Sequence, residues 1–420
     1  MIAGSPISET PLEAVSYVAA GDRSHSGVTQ LGYRSIEESP RGKLRPTVMK
    51  KEDDILSDHK RKRANSTARD TLRNYSMVGW MIRAHTDFVC GFNYIPDTGD
   101  EVLDEELEAF VDEQGKRSNF EVKGIHSRSR YLRIQECCKV IDGDALSVKR
   151  LVNGRDCRQR LVEGDKVRTP QSARRGESHG DEGGWKNGVR QTSEGRPLAY
   201  GISARTSGGS FKDLRSVRTE NAFHHGFFNR YDTARGISPL LCALAEVIDV
   251  GEAKQLALAK AKISQLLNFA HKRSAVGEGS EVEIDAETPH LFEIGIDEDI
   301  SIIESNQPSD QFQSFHDRVI FAILKALDIP ISFWDESQTN FVGSRAALQR
   351  YIMSVDWKRQ DNQEFLTWDT DWRIRLAIRN NEFRLPRSIS VDQAVKHHWN
   401  PFGVPWWDPS KDVNGAIKKI

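Results

Sequence analysis

Residues 305–352, SNQPSDQFQSFHDRVIFAILKALDIPISFWDESQTNFVGSRAALQRYI, decide how this chain folds. Phe312, Phe315, Val319, Ile323, Leu324 and Leu327 recur at three- and four-residue steps, the spacing of one apolar helix face. Ser309 or Asp310 can cap the start of that helix. Pro330 cannot continue it and disfavours helical backbone at Ile329, so the helix is expected to end near Asp328. A polar loop follows, Ser332 to Gly343. Ser344 is then expected to cap a second helix that carries Leu348, Tyr351, Ile352, Val355, Phe365, Trp368, Trp372 and Leu376. Run out to Arg379, that helix would be roughly 50 Å long at about 1.5 Å per residue.

This pattern resembles the lambda-type tailed-bacteriophage portal proteins, the head-tail connector family. The residues that carry the likeness are Pro308, Phe312, Phe315, Leu327-Asp328-Ile329-Pro330, Asp335 and Asn340-Phe341-Val342-Gly343-Ser344-Arg345-Ala346-Ala347-Leu348. The chain departs from the family pattern at Asp328, where Gly is usual, and at Phe341-Val342-Gly343, where Tyr-Ser would sit. Four further stretches are similar to family elements, in the family's order. They are Arg69 to Asn74 with Val78-Gly79-Trp80, Gly143-Asp144-Ala145, Ala234-Arg235-Gly236-Ile237-Ser238-Pro239-Leu240, and Trp406-Trp407-Asp408-Pro409-Ser410-Lys411.

Composition fits an elongated subunit better than one large compact core. The chain has 420 residues, and 38% of them are apolar. Its net charge of −2 shows no overall basic balance for gripping nucleic acid. A conduit must let its cargo slide, and strong phosphate contacts would stall a duplex. Cys90, Cys137, Cys138, Cys157 and Cys242 form no C-x-x-C pair and are expected to be reduced, in a cytosolic setting. No apolar run approaches the roughly 18 residues of a membrane span, and no basic-then-apolar signal opens the chain, so neither secretion nor membrane insertion is expected.

Periodicity divides the chain as follows. Residues 1–54 read as a mobile arm rich in Ser, Gly, Pro and charge. Helical patterns cover 54–88, with a basic cluster His59-Lys60-Arg61-Lys62-Arg63, and then 102–118 and 128–138. Asn153-Gly154 marks a hairpin within VKRLVNGRDCRQRLV. Residues 168–196 read as a flexible, glycine-rich insertion, and strands resume at 197–204 and 220–228. Ser238-Pro239 starts a long helix that is expected to run to about Lys272 and is rich in alanine, which lets helices approach closely. Short strands then occupy 273–304.

The fold class read from this order is α+β. The resemblance supplies the names: wing at 55–236, stem helix at 237–272, clip at 273–308, second stem helix at 309–329, tunnel loop at 330–343, long channel-side helix at 344–380, and a C-terminal wing or crown remnant at 381–420. It further implies a homo-oligomeric ring, expected to be a dodecamer, at one capsid vertex of a virion assembled in the host cytoplasm. Double-stranded DNA would pass through without sequence-specific contact during packaging and ejection. The implied partners are the terminase large subunit, a head-completion or adaptor protein, and the major capsid and scaffolding proteins, with no membrane. The tunnel loop, Asp335, Glu336, Ser337, Gln338, Thr339 and Asn340 with Arg345, is expected to line the channel, and Lys325 and Arg350 could add a weak compensating ring. The clip residues Glu281, Glu283, Glu293, Asp297 and Glu298 are expected to dock the motor and adaptor.

No phosphate-binding, nucleophile-elbow or HExxH motif occurs, so no catalytic residue and no cofactor are expected. His224-His225 and His397-His398 could suggest a metal, but adjacent strand residues point apart, and ordinary polar roles and no metal are expected. Trp357, Trp368 and Trp372 are expected in the core or a subunit interface. The rival reading is a metal-dependent DNA-processing enzyme, a nuclease, using acidic pairs such as Asp297-Glu298-Asp299, Asp335-Glu336 or Asp369-Asp371. A third reading is the portal of a domesticated phage-like particle.

Overall fold

In the computed structural model, the segment that decides the fold is two helices whose described connection contains two 3₁₀ turns. The structure describes residues 50–171, 184–266, 269–273, 298–302, 310–335, 337 and 340–403. The described elements all belong to one unit, Lys51–Ile420.

Three helices open the described chain: α1 (Glu52–Ile55), α2 (Asp58–Asn74) and α3 (Ser76–Val89). The arm was expected to reach residue 54, but Asp53 is buried and its carboxylate accepts from the Ala234 amide at 2.8 Å. Strand β1 (Phe92–Pro96) leads to α4 (Glu101–Gly115), which Asp100 caps by accepting from the Val102 and Leu103 amides. Then comes α5 (Arg128–Asp142), which ends on Gly143 at φ 91°.

The hairpin is β2 (Asp144–Val152) with β3 (Asp156–Glu163), turning through Asn153 at φ 54° and Gly154 at φ 73°. Both turn residues lie in the left-handed region that Asn-Gly tolerates. β4 (Trp185–Lys186), β5 (Val189–Gln191), β6 (Pro197–Arg205) and β7 (Phe211–Arg218) form a four-stranded antiparallel sheet in chain order. The second half of the expected flexible insertion is therefore ordered, and Val189 is buried in a core; residues 172–183 lie outside the described residues. β8 (Ala222–Gly226) joins β2 to complete a three-stranded sheet, β3-β2-β8.

Ser238 accepts from the Leu240 amide, as its sequence position suggests, but it caps a short 3₁₀ turn, Pro239–Cys242; helix α6 (Leu244–Leu266) follows. The helix was expected to reach Lys272. It stops at Leu266, and β9 (Phe269–Arg273) pairs antiparallel with β10 (Glu298–Ile302). In Phe269–Arg273 only Phe269 clearly favours a strand, which is why helical periodicity ran past the change.

The opening segment becomes α7 (Asp310–Leu324), a 3₁₀ turn Lys325–Leu327, a second turn Ile331–Phe333, and the 39-residue α8 (Phe341–Arg379). α9 (Val391–Ala394) and β11 (His397–Pro401), which pairs with β1, close the described chain. One large apolar core joins α2, α3, α5, α7 and α8, with Val78, Met81, Tyr131, Ile323, Leu324, Tyr351 and Phe365 among its buried members. Among the described residues no helix is long and apolar enough to cross a membrane.

Candidate functional site

The loop between α7 and α8 is held at both ends. Asp328 leaves the 3₁₀ turn at φ 63°, and the Ile329 amide reaches back to the Leu324 carbonyl at 3.1 Å. A left-handed residue here normally favours glycine. Asp328 instead earns its place through its side chain, which accepts from Ser354 Oγ at 2.7 Å and Lys358 Nζ at 2.9 Å on α8. Lys358 also donates to the Leu327 carbonyl at 3.0 Å. Burial opposes ionisation of Asp328, but these donors hold its carboxyl below the usual range.

Beyond Pro330, Phe333 stacks on Phe88 at 5.6 Å and meets Tyr351 edge-on at 5.2 Å. Trp334 meets Trp80 at 5.4 Å. These rings fasten the start of the loop to α3. The Ser337 hydroxyl, and then its amide at 2.9 Å, donate to Asp335 and lower its carboxyl pKa. Asn340, rather than the expected Ser344, caps α8 by accepting from the Gly343 amide at 2.7 Å. An Asx oxygen three residues before a free amide competes well with serine for that role. Of the expected channel residues, Asp335, Ser337, Asn340 and Arg345 are described; Glu336, Gln338 and Thr339 lie outside the described residues. Of the expected clip residues only Glu298 is described, on β10 opposite Arg273; Glu281, Glu283, Glu293 and Asp297 lie outside.

The helices α7 and α8 that flank the loop, and α6 packed against α7, expose apolar side chains. Leu256 and Leu258 on α6, Phe315 and Phe321 on α7, and Val342, Met353 and Trp357 on α8 all face water, Trp357 at 77% exposure. Trp368 differs: it is half-buried against Phe223 and Phe365 and lies under the Lys149 ammonium at 3.7 Å. The expectation of core or interface for the three tryptophans thus divides along α8.

Three of the stretches singled out in the sequence meet at one buried clamp. Arg235 is fully buried and holds Asp144 through two nitrogens, while its remaining donors go to the carbonyls of Val167, Asn187 and Gly164. His224 adds a third contact to Asp144 at 3.0 Å. Burial would raise the Asp144 pKa, yet Arg235 and His224 hold it far below the usual carboxylate range. Arg61 on α2 donates to the Gly236 carbonyl at 2.6 Å, and Arg69 binds Asp142. Gly143 and Gly236 touch so closely that a Cβ on Gly236 would sit 2.2 Å from the Gly143 carbonyl oxygen. Glycine at both positions is a packing requirement.

Among the described residues, the acidic cluster that could hold a cation is already bound by arginines. Asp142, Glu163 and Asp165 come within 4.8 Å of one another, the described cluster best placed for a cation. Arg69 binds Asp165 at 2.9 Å and Glu163 at 3.2 Å, and Arg205 reaches Asp165 at 2.7 Å. Two guanidiniums thus sit where a metal would. Burial still pushes Asp142 up to about 6. Asp369 is bound to Arg373 and Gln159, at 2.9 and 2.7 Å, and Asp371 lies apart near His397. The histidine pairs point apart as expected. His224 turns to Asp144 and buried His225 to Gln135, while His397 contacts the Val395 carbonyl and His398 is exposed.

The profile described as "Phage portal protein, lambda family" matches residues 40–356. The chain belongs to the lambda family of phage portal proteins. No curated protein sequence matches it. Among solved structures, a chain from the virion of a native gene transfer agent particle is similar at 12% identity and TM-score 0.53, over 84% of this chain and 87% of that one. Chains from the neck of an empty gene transfer agent particle, computed with C6 symmetry, and of a native one, computed with C12 symmetry, are similar at 13% identity. Their TM-scores are 0.55 and 0.54, and each likeness covers 83% of this chain and 88% of the other. The α+β fold read from the sequence is thus the portal fold. Within this portal subunit, the stretches Arg69–Asn74, Gly143-Asp144 and Arg235-Gly236 hold the body together through buried ion pairs and backbone contacts. Sequence reasoning missed the Lys139–Glu136–His85 network, with Lys139 also on Asp361 at 3.0 Å, which ties α3, α5 and α8. Its members lie 51 or more residues apart except for the helical pair Glu136–Lys139, so no local spacing announces it.

Proposed function

We propose that copies of this portal protein, twelve in number, close into a ring at one capsid vertex of a virion, and that double-stranded DNA passes through the ring during packaging and ejection. The observation that carries this reading is the family match across the helix–loop–helix, whose flanking helices, with α6 packed against α7, leave Leu256, Phe315, Phe321, Met353 and Trp357 in water. Exposed apolar side chains at this density favour burial against a neighbour, and a head-to-tail contact repeated around an axis closes a ring. The C12 symmetry of one neck of similar fold supports twelve. In this reading Asp335, Glu336, Ser337, Gln338, Thr339, Asn340 and Arg345 line the channel. Short polar and acidic side chains touch a phosphate backbone weakly, which suits sliding. Glu281, Glu283, Glu293, Asp297 and Glu298 dock the terminase large subunit and the head-completion protein. Major capsid and scaffolding proteins surround the wing, and assembly takes place in the host cytoplasm.

Sedimentation and electron microscopy of the purified protein test the ring. Twelve subunits of 47.5 kDa give particles of about 570 kDa with a central hole. A species that stays at 47.5 kDa in every buffer, even beside shell proteins, would sink the reading. Charge substitution at Glu281, Glu283 and Glu293 is expected to abolish terminase docking while rings still form; loss of the rings themselves would overturn the docking assignment.

A further inference from the structure

The two sheets of the body share a second core. Leu146 and Val148 of β2 and Val162 of β3 pack with Val189, Tyr200, Ile202 and Val217 of the four-stranded sheet. Period-two alternation carries each inner face outward to an arginine: Val148 to Arg150, Val162 to Arg160, and Val217 to Arg215. The register agrees. Arg160 lies opposite Val148, Arg150 is its diagonal neighbour, and Arg215 lies opposite Ile202. Three guanidiniums therefore gather at the rim of one inter-sheet core.

Their partners are what distinguish them. Arg69, Arg205 and Arg235 each hold carboxylates. Among the described residues no carboxylate pairs with Arg150, Arg160 or Arg215, and Arg215 Nη2 is buried with no hydrogen-bond acceptor. Burial, then the like charges of Arg150 and Arg160, lower the Arg215 pKa. A buried donor without an acceptor, beside two like charges, is costly unless an anion joins it. Guanidinium forks match tetrahedral oxyanions, which offer several acceptors and negative charge together.

We propose that Arg150, Arg160 and Arg215 form a phosphate-binding site at the rim between the two sheets, filled by the backbone of duplex DNA or by free phosphate. The site stands on different elements from the 330–343 loop and does not depend on what that loop does.

The test uses the full chain. Thermal unfolding is followed in potassium phosphate and in potassium chloride at equal ionic strength, and binding of a short labelled duplex is followed by anisotropy. Phosphate is expected to raise the wild-type Tm, and Arg150→Ala and Arg215→Ala are each expected to weaken phosphate binding roughly ten-fold. If Arg150→Ala weakens the duplex but free phosphate has no effect on wild type, DNA is the source and the site stands. Should Arg215→Ala fail to fold, the double variant Arg150→Ala/Arg160→Ala decides the matter, since both side chains are only half-buried. Unchanged phosphate and duplex binding in that double variant overturns the proposal. So does a change in oligomer mass without any phosphate or duplex effect, which would mean that a carboxylate of a neighbouring copy pairs with these arginines.

Discussion

Around β2 and α5 charged side chains are buried and paired, whereas along α6, α7 and the first half of α8 apolar side chains stand in water. Asp144, Glu136 and Asp369 each lie in the body with a guanidinium or ammonium against them. Leu256, Phe315 and Trp357 have no such cover. The body thus satisfies itself within one subunit, and the helices beside the loop are unfinished alone. α8 belongs to both regions: Phe365 is buried between Tyr131, Phe223 and His225, while Trp357, two turns earlier, is 77% exposed. One continuous helix therefore links a body whose charges are paired to a surface that leaves apolar side chains in water.

Breaking the clamp should produce the largest effect. Arg235→Met leaves the buried Asp144 carboxylate with only a histidine and the Gly236 amide for partners, and a loss of about 3–5 kcal/mol is expected on the scale of broken buried pairs. Chemical denaturation of the soluble fraction measures it, and a loss below about 1 kcal/mol would show that the clamp is not what holds the sheets. Gly236→Ala should rank next, because its Cβ would collide with the Gly143 backbone, 2.2 Å away; a Tm several degrees lower is expected in calorimetry.

The loop hinge gives a smaller and more instructive response. Asp328→Ala keeps the left-handed strain and removes the contacts to Ser354 and Lys358, so about 1–2 kcal/mol should be lost. Asp328→Gly removes the same contacts but relieves the strain, and should lose clearly less in the same urea titration. Equal losses would mean that backbone strain plays no part at this position.

Acid should weaken the body. Burial holds the His225 imidazole well below its ordinary pKa, so it is neutral when folded, whereas in the unfolded chain it takes a proton near 6.5. Extra protons bound by the unfolded state make stability fall as pH drops below about 6.5, by up to about 1.4 kcal/mol per pH unit for this group. Urea midpoints at pH 7.5 and 5.5 read the effect, and His225→Gln should flatten it. The smallest change in subunit stability is expected on the other side of the comparison. Trp357→Glu should alter the unfolding of the lone subunit by about 0.5 kcal/mol or less, yet reduce ring yield in sedimentation. A large loss of subunit stability would place Trp357 in the body after all.

Much of the site was legible locally. The apolar face of α7, the stop at Pro330, the length of α8 and the Asn153-Gly154 hairpin follow from spacing and backbone chemistry alone. Asn340 took the cap from Ser344 because both residues suit the role and only the backbone geometry chooses. The strand Phe269–Arg273 escaped because its residues tolerate either state, and pairing with Glu298–Ile302, distant in sequence, decided it. No local spacing marks the pairing of the acids Asp142, Glu163 and Asp165, since Arg69 and Arg205 reach them from 40 residues away or more, Glu163 and Asp165 by Arg205 and all three by Arg69.

The sequence by itself determined the periods, the breaks and the order of elements, because those depend on neighbours within a helical turn or a strand pair. Tertiary structure alone decided which charges meet, which arginines stay without an acid, and which apolar faces remain uncovered, because burial and Coulomb partners are set by residues that the chain brings together only when it folds.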